Sequence, residues 1–276
     1  MDKKIGIIGY GSMGKMIFAK FIEAKIVPEI NIYLSNRTYD KISNLNNVFP
    51  QINICKNNID TAKNADILFI CVKPLEMKSV LMEIIKDLKN DCHIISITAN
   101  VLFKQIEKIC VNKKISKVIP SVTAEINQSV TLVGHNNYVN NSDKNTLKAL
   151  LECFGTVVEI SETEMGMGTE LTSCMPGFIG AMFKVITAEA EKHTSLDRKE
   201  IIDMIINTVY GTGKLLLEKE ITFEQLISRV ATKGGITEEG TKIIETQMPN
   251  IVNELFEKTL EKRKITTEKV QRDFDI

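Results

Sequence analysis

Apolar residues in the first half of the chain alternate between short runs typical of strands and longer runs with helical spacing. Ile5, Ile7 and Ile8 predict a buried first strand, and residues 15–25 continue as a helix. Residues 65–72 are apolar almost throughout, which is typical of a strand covered on both faces inside a parallel sheet. We predict further strands at residues 31–34, 93–98, 117–119, 131–133 and 156–160. The alternation predicts an α/β fold in which helices cover a parallel sheet.

Three glycines lie between the first strand and the first helix. Gly9, Gly11 and Gly14 have G-x-G-x-x-G spacing. The first glycine lets the strand turn sharply, the second lets the backbone approach a pyrophosphate, and the third lets the helix pack on the strand. Glycines also mark ordinary tight turns, but here strand, glycines and helix follow in the required order. The stretch therefore predicts a dinucleotide site, with the pyrophosphate at the helix N-terminus.

The residues that end the second strand meet the adenine ribose in such a fold. A carboxylate there would favour NAD, but the chain has Ser35, Asn36 and Arg37 instead. Serine and arginine suit hydrogen bonding and charge pairing with a 2′-phosphate. We therefore predict NADP as the cofactor, with NAD possible; the alternative is that Arg37 is simply an exposed surface residue.

The central strand, residues 65–72, ends in Lys73 and Pro74. Ligands of open α/β sheets bind outside the carboxyl ends of the strands. We therefore expect Val72, Lys73 and Pro74 to lie near the nicotinamide half of the cofactor.

The pattern changes near residue 161, and almost all of the remaining chain has helical spacing. We predict helices at residues 163–193, 197–218 and 223–230, and from residue 238 onward. Between residues 171 and 190 the apolar side chains leave little polar face, which is typical of a helix buried between subunits. We expect two domains: an NAD(P)-binding domain at residues 1–160 and a helical dimerisation domain at residues 161–276.

A glycine pair interrupts this helical half. Gly234 and Gly235 do not fit a helix interior, so they predict a loop that leads into the next helix with Thr237 near its N-terminus. Free N–H groups at that end could hold a carboxylate. The alternative is that Thr237 is only an N-cap, because Thr-Glu-Glu is a good capping sequence.

Composition narrows the class of partner. The 276 residues contain 35 basic and 35 acidic side chains, a balance that argues against general affinity for nucleic acid or membrane. We expect no signal peptide and no apolar run of membrane-spanning length. Six cysteines without C-x-x-C spacing indicate neither a zinc site nor a disulfide framework. A cytoplasmic protein that binds a small molecule and a second copy of itself is therefore expected.

Together these segments resemble the pyrroline-5-carboxylate reductase family over nearly the full length. The resemblance rests on IGIIGYGSMG, SNR, ICVKP, SITAN, TSCMPGF and KGGITEEG, which occur in the family's order. It implies a Rossmann domain followed by a helical domain that interlocks into a dimer, with active sites between subunits. The implied reaction is hydride transfer from NAD(P)H to the C=N bond of 1-pyrroline-5-carboxylate, a cyclic imino acid, which gives L-proline.

The resemblance also implies roles for individual residues. The implied cofactor-binding residues are Gly9, Gly11, Ser12, Met13, Gly14, Ser35, Asn36, Arg37, Val72, Lys73 and Pro74. The implied substrate-binding residues are Ser121, Cys174, Met175, Pro176, Lys233, Gly234, Gly235 and Thr237. Thr237, beside the imine, and Lys73 are the candidate catalytic residues. A protonated imine accepts hydride readily, so the site needs orientation more than a strong acid, and we interpret His93, His135 and His193 as structural or surface residues.

The sequence departs from the family pattern on the substrate side. Residues 119–121 are Ile-Pro-Ser where the family has M-P-N, and residues 232–235 are Thr-Lys-Gly-Gly where it has S-P-G-G. Met175 replaces a glycine and narrows the pocket, while Lys233 adds a cation near the presumed carboxylate site. These departures resemble a divergent branch of the family encoded with late-competence genes in some bacteria.

Three other functions stay open on the sequence. An altered substrate side with an intact cofactor side is compatible with another imine substrate, or with a non-catalytic NADPH-binding regulatory protein. Gly180 and Lys184 also match the G-x-x-x-K of β-hydroxyacid dehydrogenases, in which the lysine acts as acid and base.

Overall fold

The computed structural model describes residues 2–275. The chain divides into two compact units, one comprising residues up to Pro176 together with those from Leu260 onward, and the other comprising Gly177–Thr259. The last helix therefore contributes its C-terminal part to the unit that contains the N-terminus. A domain boundary near residue 160 stays a prediction.

The first unit is built on one sheet of eight strands. Their bounds are β1 Ile5–Ile8, β2 Ile32–Ser35, β3 Asn53–Ile54, β4 Ile67–Ile70, β5 His93–Ser96, β6 Lys114–Ile119, β7 Ser129–His135 and β8 Gly155–Glu159. Their order is β3-β2-β1-β4-β5-β6-β7-β8. Each strand predicted from the sequence is confirmed with small shifts in its ends, whereas β3 has only two residues and left no periodic signal.

The predicted parallel sheet contains one antiparallel pair of strands. β6 and β7 are antiparallel, with Ser116 opposite His135 and Ile119 opposite Leu132. A parallel connection needs a crossover of a dozen or more residues, usually a helix. The segment between Ile119 and Ser129 is too short for that, so the chain reverses direction. The other neighbouring strands in the sheet are parallel.

Helices follow most strands and continue into the second half of the chain. Their bounds are α1 Ser12–Glu23, α2 Asn58–Asn64, α3 Met77–Ile84, α4 Phe103–Ile109, α5 Asn141–Leu151, α6 Met165–Thr169, α7 Met175–Ala190, α8 Arg198–Lys219, α9 Phe223–Val230 and α10 Ile236–Asp275. A π-helical turn, Glu170–Cys174, joins α6 to α7. Pro176 is the second residue after this turn, and a widened turn tolerates a nearby residue that lacks an N–H.

Two hydrophobic cores cover the two faces of the sheet. Ile7 of β1 and Phe69 of β4 belong to one core, and their neighbours Ile8 and Leu68 belong to the other. Successive side chains of a strand point to opposite faces, so strands covered on both sides are apolar at every position. The end of α10 joins the second core through Val270 and Phe274.

The sequence predicts no apolar run of membrane-spanning length, and the helix from Met165 to Ala190 contradicts that expectation. Its 26 residues contain a window with a mean hydropathy of 1.3, long and apolar enough by length and composition to cross a membrane. Length and composition are weak evidence of a span, because a helix covered by other protein has the same composition. In the single chain this helix is mostly uncovered, with Val185 62% and Ile186 50% exposed.

The second unit leaves many large apolar side chains exposed. Within Gly177–Thr259, Thr187 and Ile201 are the buried residues, whereas Tyr210 is 69% exposed and Leu217 82% exposed. Many exposed large apolar side chains on one unit indicate an interaction surface. The unit therefore has the composition of a helical domain that a partner covers.

Candidate functional site

A cleft of about 620 Å³ lies at the carboxyl ends of β1, β2 and β4. Its lining residues are Ile8, Gly9, Tyr10, Gly11, Asn36, Arg37, Thr38, Lys41, Lys56, Asn57, Asn58, Cys71, Val72, Lys73, Glu76, Ser79, Val80 and Glu83. Sequence reasoning singled out Gly9, Gly11, Asn36, Arg37 and the residues after β4. It missed Lys41, which lies in the segment after the predicted second strand, and Lys56, which follows the unpredicted strand β3.

The glycine turn at the base of the cleft depends on very close backbone contacts. Gly9 has φ +97°, and a Cβ there would lie 2.6 Å from the Cys71 carbonyl oxygen. A Cβ on Gly14 would lie 2.0 Å from the carbonyl oxygen of Gly9, so only glycine lets α1 pack this closely. A Cβ on Gly11 would meet nothing within 4 Å. The space above Gly11 is therefore open to a ligand.

The N-terminus of α1 faces this space with the features of an anion site. The first helical N–H groups, those of Ser12, Met13 and Gly14, have no partner within the helix, since the intrahelical bonds begin with Lys15 N–H and the Gly11 carbonyl at 2.8 Å. No acidic residue lies in the first turn of α1. The turn thus fits the pyrophosphate of a dinucleotide.

The residues after β2 support the turn in different ways. The Tyr10 N–H donates to Asn36 Oδ1 at 2.9 Å, and Asn36 Nδ2 donates to the Thr38 carbonyl at 2.8 Å. Ser35 is buried, and its hydroxyl donates to Asn58 Oδ1 at 2.9 Å. The Ser35 side chain therefore supports the cleft from beneath, and a direct contact of this side chain with a 2′-phosphate has no support in the geometry.

Arg37 is extended at the rim, with 86% of its side chain exposed, and it forms an ion pair with Glu76 at 2.7 Å. Glu76 lies on the turn after β4, and its other oxygen accepts the Lys73 N–H at 3.3 Å. Burial alone would raise the pKa of Glu76, but the Lys73 N–H and the Arg37 guanidinium lower it. Glu76 is therefore an ionised carboxylate inside the cleft. Sequence reasoning did not single it out.

The residues after β4 lie at the carboxyl end of that strand, beside the cleft. Val72 and Lys73 line the cleft, and Pro74 begins the short helical turn that carries Glu76. The Lys73 side chain is exposed. These positions are compatible with the predicted nicotinamide side, and the catalytic role of Lys73 stays a prediction.

The predicted substrate residues of the first unit lie beyond the end of β6 and around the π-helical turn. Ser121 is buried, its N–H donates to Ser129 Oγ at 3.0 Å, and its hydroxyl has no hydrogen-bond partner among residues 2–275. Cys174 ends the π-helical turn, followed by Met175 and Pro176. Burial and the nearby Glu170 raise the pKa of the Cys174 thiol, which disfavours a reactive thiolate.

The predicted substrate loop belongs to the second unit. Gly234 has φ +75°, and its N–H donates to the Glu238 carboxylate at 2.7 Å. α10 begins at Ile236, so Thr237 lies inside the first turn and the N-cap alternative is wrong. Lys233 and Thr237 are exposed, and Gly235 is partly exposed. The Gly235 N–H donates to the Thr232 carbonyl at 2.8 Å, so both glycine N–H groups of the turn have partners within the chain.

A group of buried charges near the SITAN segment escaped sequence reasoning. Lys117 is fully buried, and its Nζ lies 2.9 Å from Glu162 Oε1 and 3.1 Å from the Ala99 carbonyl oxygen. Glu162 also accepts the Phe103 N–H at 2.8 Å. Burial lowers the pKa of Lys117, and Glu162 partly opposes that effect.

A second buried pair lies close to the first. Arg263 of α10 binds Glu170 of the π-helical turn at 2.5 Å. The partners of the two pairs are separated along the chain by 45 and 93 residues. Local sequence patterns carry no signal for such contacts.

The histidines occupy structural and surface positions. His93 Nε2 and His135 Nδ1 both lie within hydrogen-bond distance of Ser116 Oγ, at 2.7 and 2.6 Å. Burial lowers the pKa of His93 to about 4, so it is neutral at physiological pH. His193 is exposed.

Comparison with known proteins matches both halves of this architecture. Residues 4–100 match the family model "NADP oxidoreductase coenzyme F420-dependent", and residues 162–265 match "Pyrroline-5-carboxylate reductase dimerisation". Pyrroline-5-carboxylate reductase 3 of Bacillus subtilis (strain 168) is 35% identical over 97% of this chain and 98% of its own length. This chain belongs to the pyrroline-5-carboxylate reductase family.

Two further similarities refine the family assignment. ComE operon protein 4 of Bacillus subtilis (strain 168) is 29% identical over 99% of this chain and 100% of its own length, in agreement with the likeness to the competence-associated branch. The pyrroline carboxylate reductase of Plasmodium falciparum, solved with NADP bound, superposes with a TM-score of 0.82 at 22% identity over 99% of this chain and 98% of that chain. This superposition confirms the fold of a reductase Rossmann domain followed by a helical domain.

Gly11 and Gly14 provide a matched pair of substitutions. We expect Gly14→Ala to lower the free energy of unfolding by about 2–3 kcal/mol, because its methyl group collides with the Gly9 backbone. Gly11→Ala should change it by less than about 1 kcal/mol, at a helix N-cap, yet weaken NADPH binding at least tenfold by filling the pyrophosphate space. Urea unfolding and NADPH titration measure the two effects, and unchanged NADPH binding by Gly11→Ala would contradict the site.

We expect the fold to need Glu162 as the counter-ion of the buried Lys117 ammonium. Glu162→Gln leaves a fully buried ammonium without its counter-ion, and we expect a loss of about 2–3 kcal/mol, below the range for fully buried pairs because Glu162 is 26% exposed. The double variant Lys117→Met with Glu162→Gln should recover most of this loss. Urea midpoints of the single and double variants test the pair, and equal losses in the two would disprove it.

Proposed function

We propose that this protein is an NADPH-dependent pyrroline-5-carboxylate reductase. It transfers a hydride to the C=N bond of 1-pyrroline-5-carboxylate and releases L-proline, a step of proline biosynthesis. The observation that carries the proposal is the 35% identity with a reductase of this name over 97% of the chain. The cleft at the carboxyl ends of β1, β2 and β4 supports it independently of any relative.

The cofactor residues each have a physical task in this proposal. The first-turn N–H groups of α1 bind the pyrophosphate, and Gly11 leaves room for it. Arg37 pairs with the 2′-phosphate at the rim, while Val72 and Lys73 border the nicotinamide end. NADPH supplies the hydride when it is bound. Lys41 and Lys56 add positive charge along the same cleft.

The substrate residues orient an imine that is already reactive. We infer that the turn at Gly234 and Gly235 holds the imino-acid carboxylate through the Gly234 N–H, with Lys233 as a nearby cation. In the single chain this N–H donates to the Glu238 carboxylate at 2.7 Å and the Gly235 N–H donates to the Thr232 carbonyl at 2.8 Å, so the substrate carboxylate must displace Glu238. The Thr237 hydroxyl hydrogen-bonds the ring nitrogen. Ser121, Cys174, Met175 and Pro176 form the remaining wall.

A homodimer through the helical domain is part of the proposal. The dimerisation match at residues 162–265 indicates homo-oligomerisation, and the exposed apolar side chains of the second unit require a cover. Covering by a second subunit also accounts for the apolar helix Met165–Ala190 without a membrane. We propose a cytoplasmic enzyme on this basis.

The dehydrogenase alternative has no support of its own. Gly180 and Lys184 lie within the segment that matches the reductase dimerisation domain, and Lys184 is exposed on α7. The non-catalytic alternative rests on Met175 and Lys233, and the likeness to ComE operon protein 4 makes it worth a direct test.

The decisive experiment is an NADPH oxidation assay with purified protein. We expect oxidation only when 1-pyrroline-5-carboxylate is present, with proline as the product. Tight NADPH binding without turnover over a panel of cyclic imines would replace the proposal with the regulatory function. Oxidation of 3-hydroxy acids that is lost in Lys184→Ala would indicate the dehydrogenase instead.

Thr237→Ala tests the substrate loop. Removing a hydroxyl that bonds the imine should lower kcat/KM for 1-pyrroline-5-carboxylate by about tenfold or more, the size of a hydrogen bond to a charged group, with NADPH affinity almost unchanged. Thr241→Ala is the control, because its hydroxyl lies one turn later on the same helix and donates to the Glu238 carbonyl. Equal rates in both variants would remove Thr237 from the site.

A further inference from the structure

The ion pair between Arg37 and Glu76 spans the mouth of the cofactor cleft. Arg37 follows β2, and Glu76 follows β4. These two strands flank β1 in the sheet, so their carboxyl ends lie on either side of the glycine turn. The 2.7 Å contact therefore joins the two walls of the cleft at the end where Arg37 would meet the adenosine.

Glu76 is held in this position by more than Arg37. Its Oε2 accepts the Lys73 N–H at 3.3 Å, and its residue closes the short helical turn Pro74–Glu76. The carboxylate is about one-third exposed, whereas the Arg37 side chain is 86% exposed. Arg37 is therefore the more exposed partner of the pair, whereas the Glu76 carboxylate has a second contact with the Lys73 N–H.

This arrangement treats the two nicotinamide cofactors differently. A 2′-phosphate must pair with Arg37, so it must displace a carboxylate that already occupies the guanidinium, and the two anions repel each other. NADH carries a 2′-hydroxyl instead, which can donate to a carboxylate, as acidic residues at this end of Rossmann folds do. The ion pair thus weakens the binding of NADPH and does not weaken the binding of NADH.

We propose that Glu76 is a cofactor-selectivity residue, which competes with the 2′-phosphate for Arg37 and so reduces the preference of the protein for NADPH over NADH. The inference rests on the proposed NADPH site, and it goes beyond that site because it assigns a residue that acts against the phosphate. We therefore expect the chain to bind NADH in addition to NADPH.

Glu76→Gln tests the proposal by direct binding. The chain has no tryptophan, so the fluorescence of the reduced nicotinamide itself reports binding of NADPH and NADH. We expect the dissociation constant for NADPH to fall about two- to fivefold, the effect that an exposed ion pair reaches, with that for NADH unchanged or higher. A circular-dichroism melt verifies that the variant is folded.

Glu83→Gln is the matched control. Glu83 lines the same cleft and carries the same charge, but its carboxylate accepts from Asn58 at 2.8 Å and makes no contact with Arg37 among the described residues. We expect Glu83→Gln to change the affinity for NADPH less than Glu76→Gln does. Equal gains in the two variants would overturn the proposal in favour of general charge.

Arg37→Ala completes a double-mutant cycle. Arg37→Ala alone should weaken NADPH far more than NADH, which tests the cofactor site itself. Glu76→Gln should then bring most of its gain only when Arg37 is present, because the two groups act through each other. If Glu76→Gln weakens NADPH binding, Glu76 orients Arg37 for the phosphate and the proposal is overturned. These readouts need no turnover, so loss of the reductase activity and loss of the selectivity effect are distinguishable.

Discussion

The close approach of α1 to the end of β1 is the contact on which the cofactor site depends. A Cβ on Gly14 would lie 2.0 Å from the carbonyl oxygen of Gly9, and one on Gly9 would lie 2.6 Å from the carbonyl oxygen of Cys71. Three backbone segments therefore meet where no side chain fits. This contact sets the N-terminus of α1 beside the open space at Gly11. The same close packing therefore holds the helix on the sheet and positions its N-terminus to bind an anion.

Two kinds of ion pair in this protein differ in their energetics. The buried pairs Lys117–Glu162 and Arg263–Glu170 connect distant segments of the first unit, and removing one partner leaves a desolvated charge. The Arg37–Glu76 pair at the rim is exposed and costs little to break. The first kind stabilises the fold, while the second is suited to exchange with a charged ligand.

The second compact unit is characterised by exposed apolar side chains rather than by buried ion pairs. Its large apolar side chains are mostly exposed, and its glycine turn at Gly234 holds only a carboxylate of its own helix. Exposed apolar side chains of this kind are typical of an interaction surface. The helical half of this chain therefore has both that surface and the loop with the candidate substrate residues.

Periodicity and local chemistry in the sequence determined most of the secondary structure. The strands predicted at residues 65–72 and 93–98 correspond to β4 and β5, and the helix predicted at residues 223–230 is α9, because these patterns depend only on neighbouring residues. The glycine turn and the open position at Gly11 follow from the same local rules. Arg37 was also accessible, since it directly follows a predicted strand.

Only the tertiary structure decided the contacts between distant segments. It buried Ser35 against Asn58, reversed β7 against β6, brought the end of α10 into the first unit, and paired Arg37 with a glutamate 39 residues away. Each depends on which strands become neighbours in the sheet, and a periodic pattern has the same form whichever neighbour it packs against. The charge that opposes the 2′-phosphate was therefore visible only once β2 and β4 lay on either side of β1.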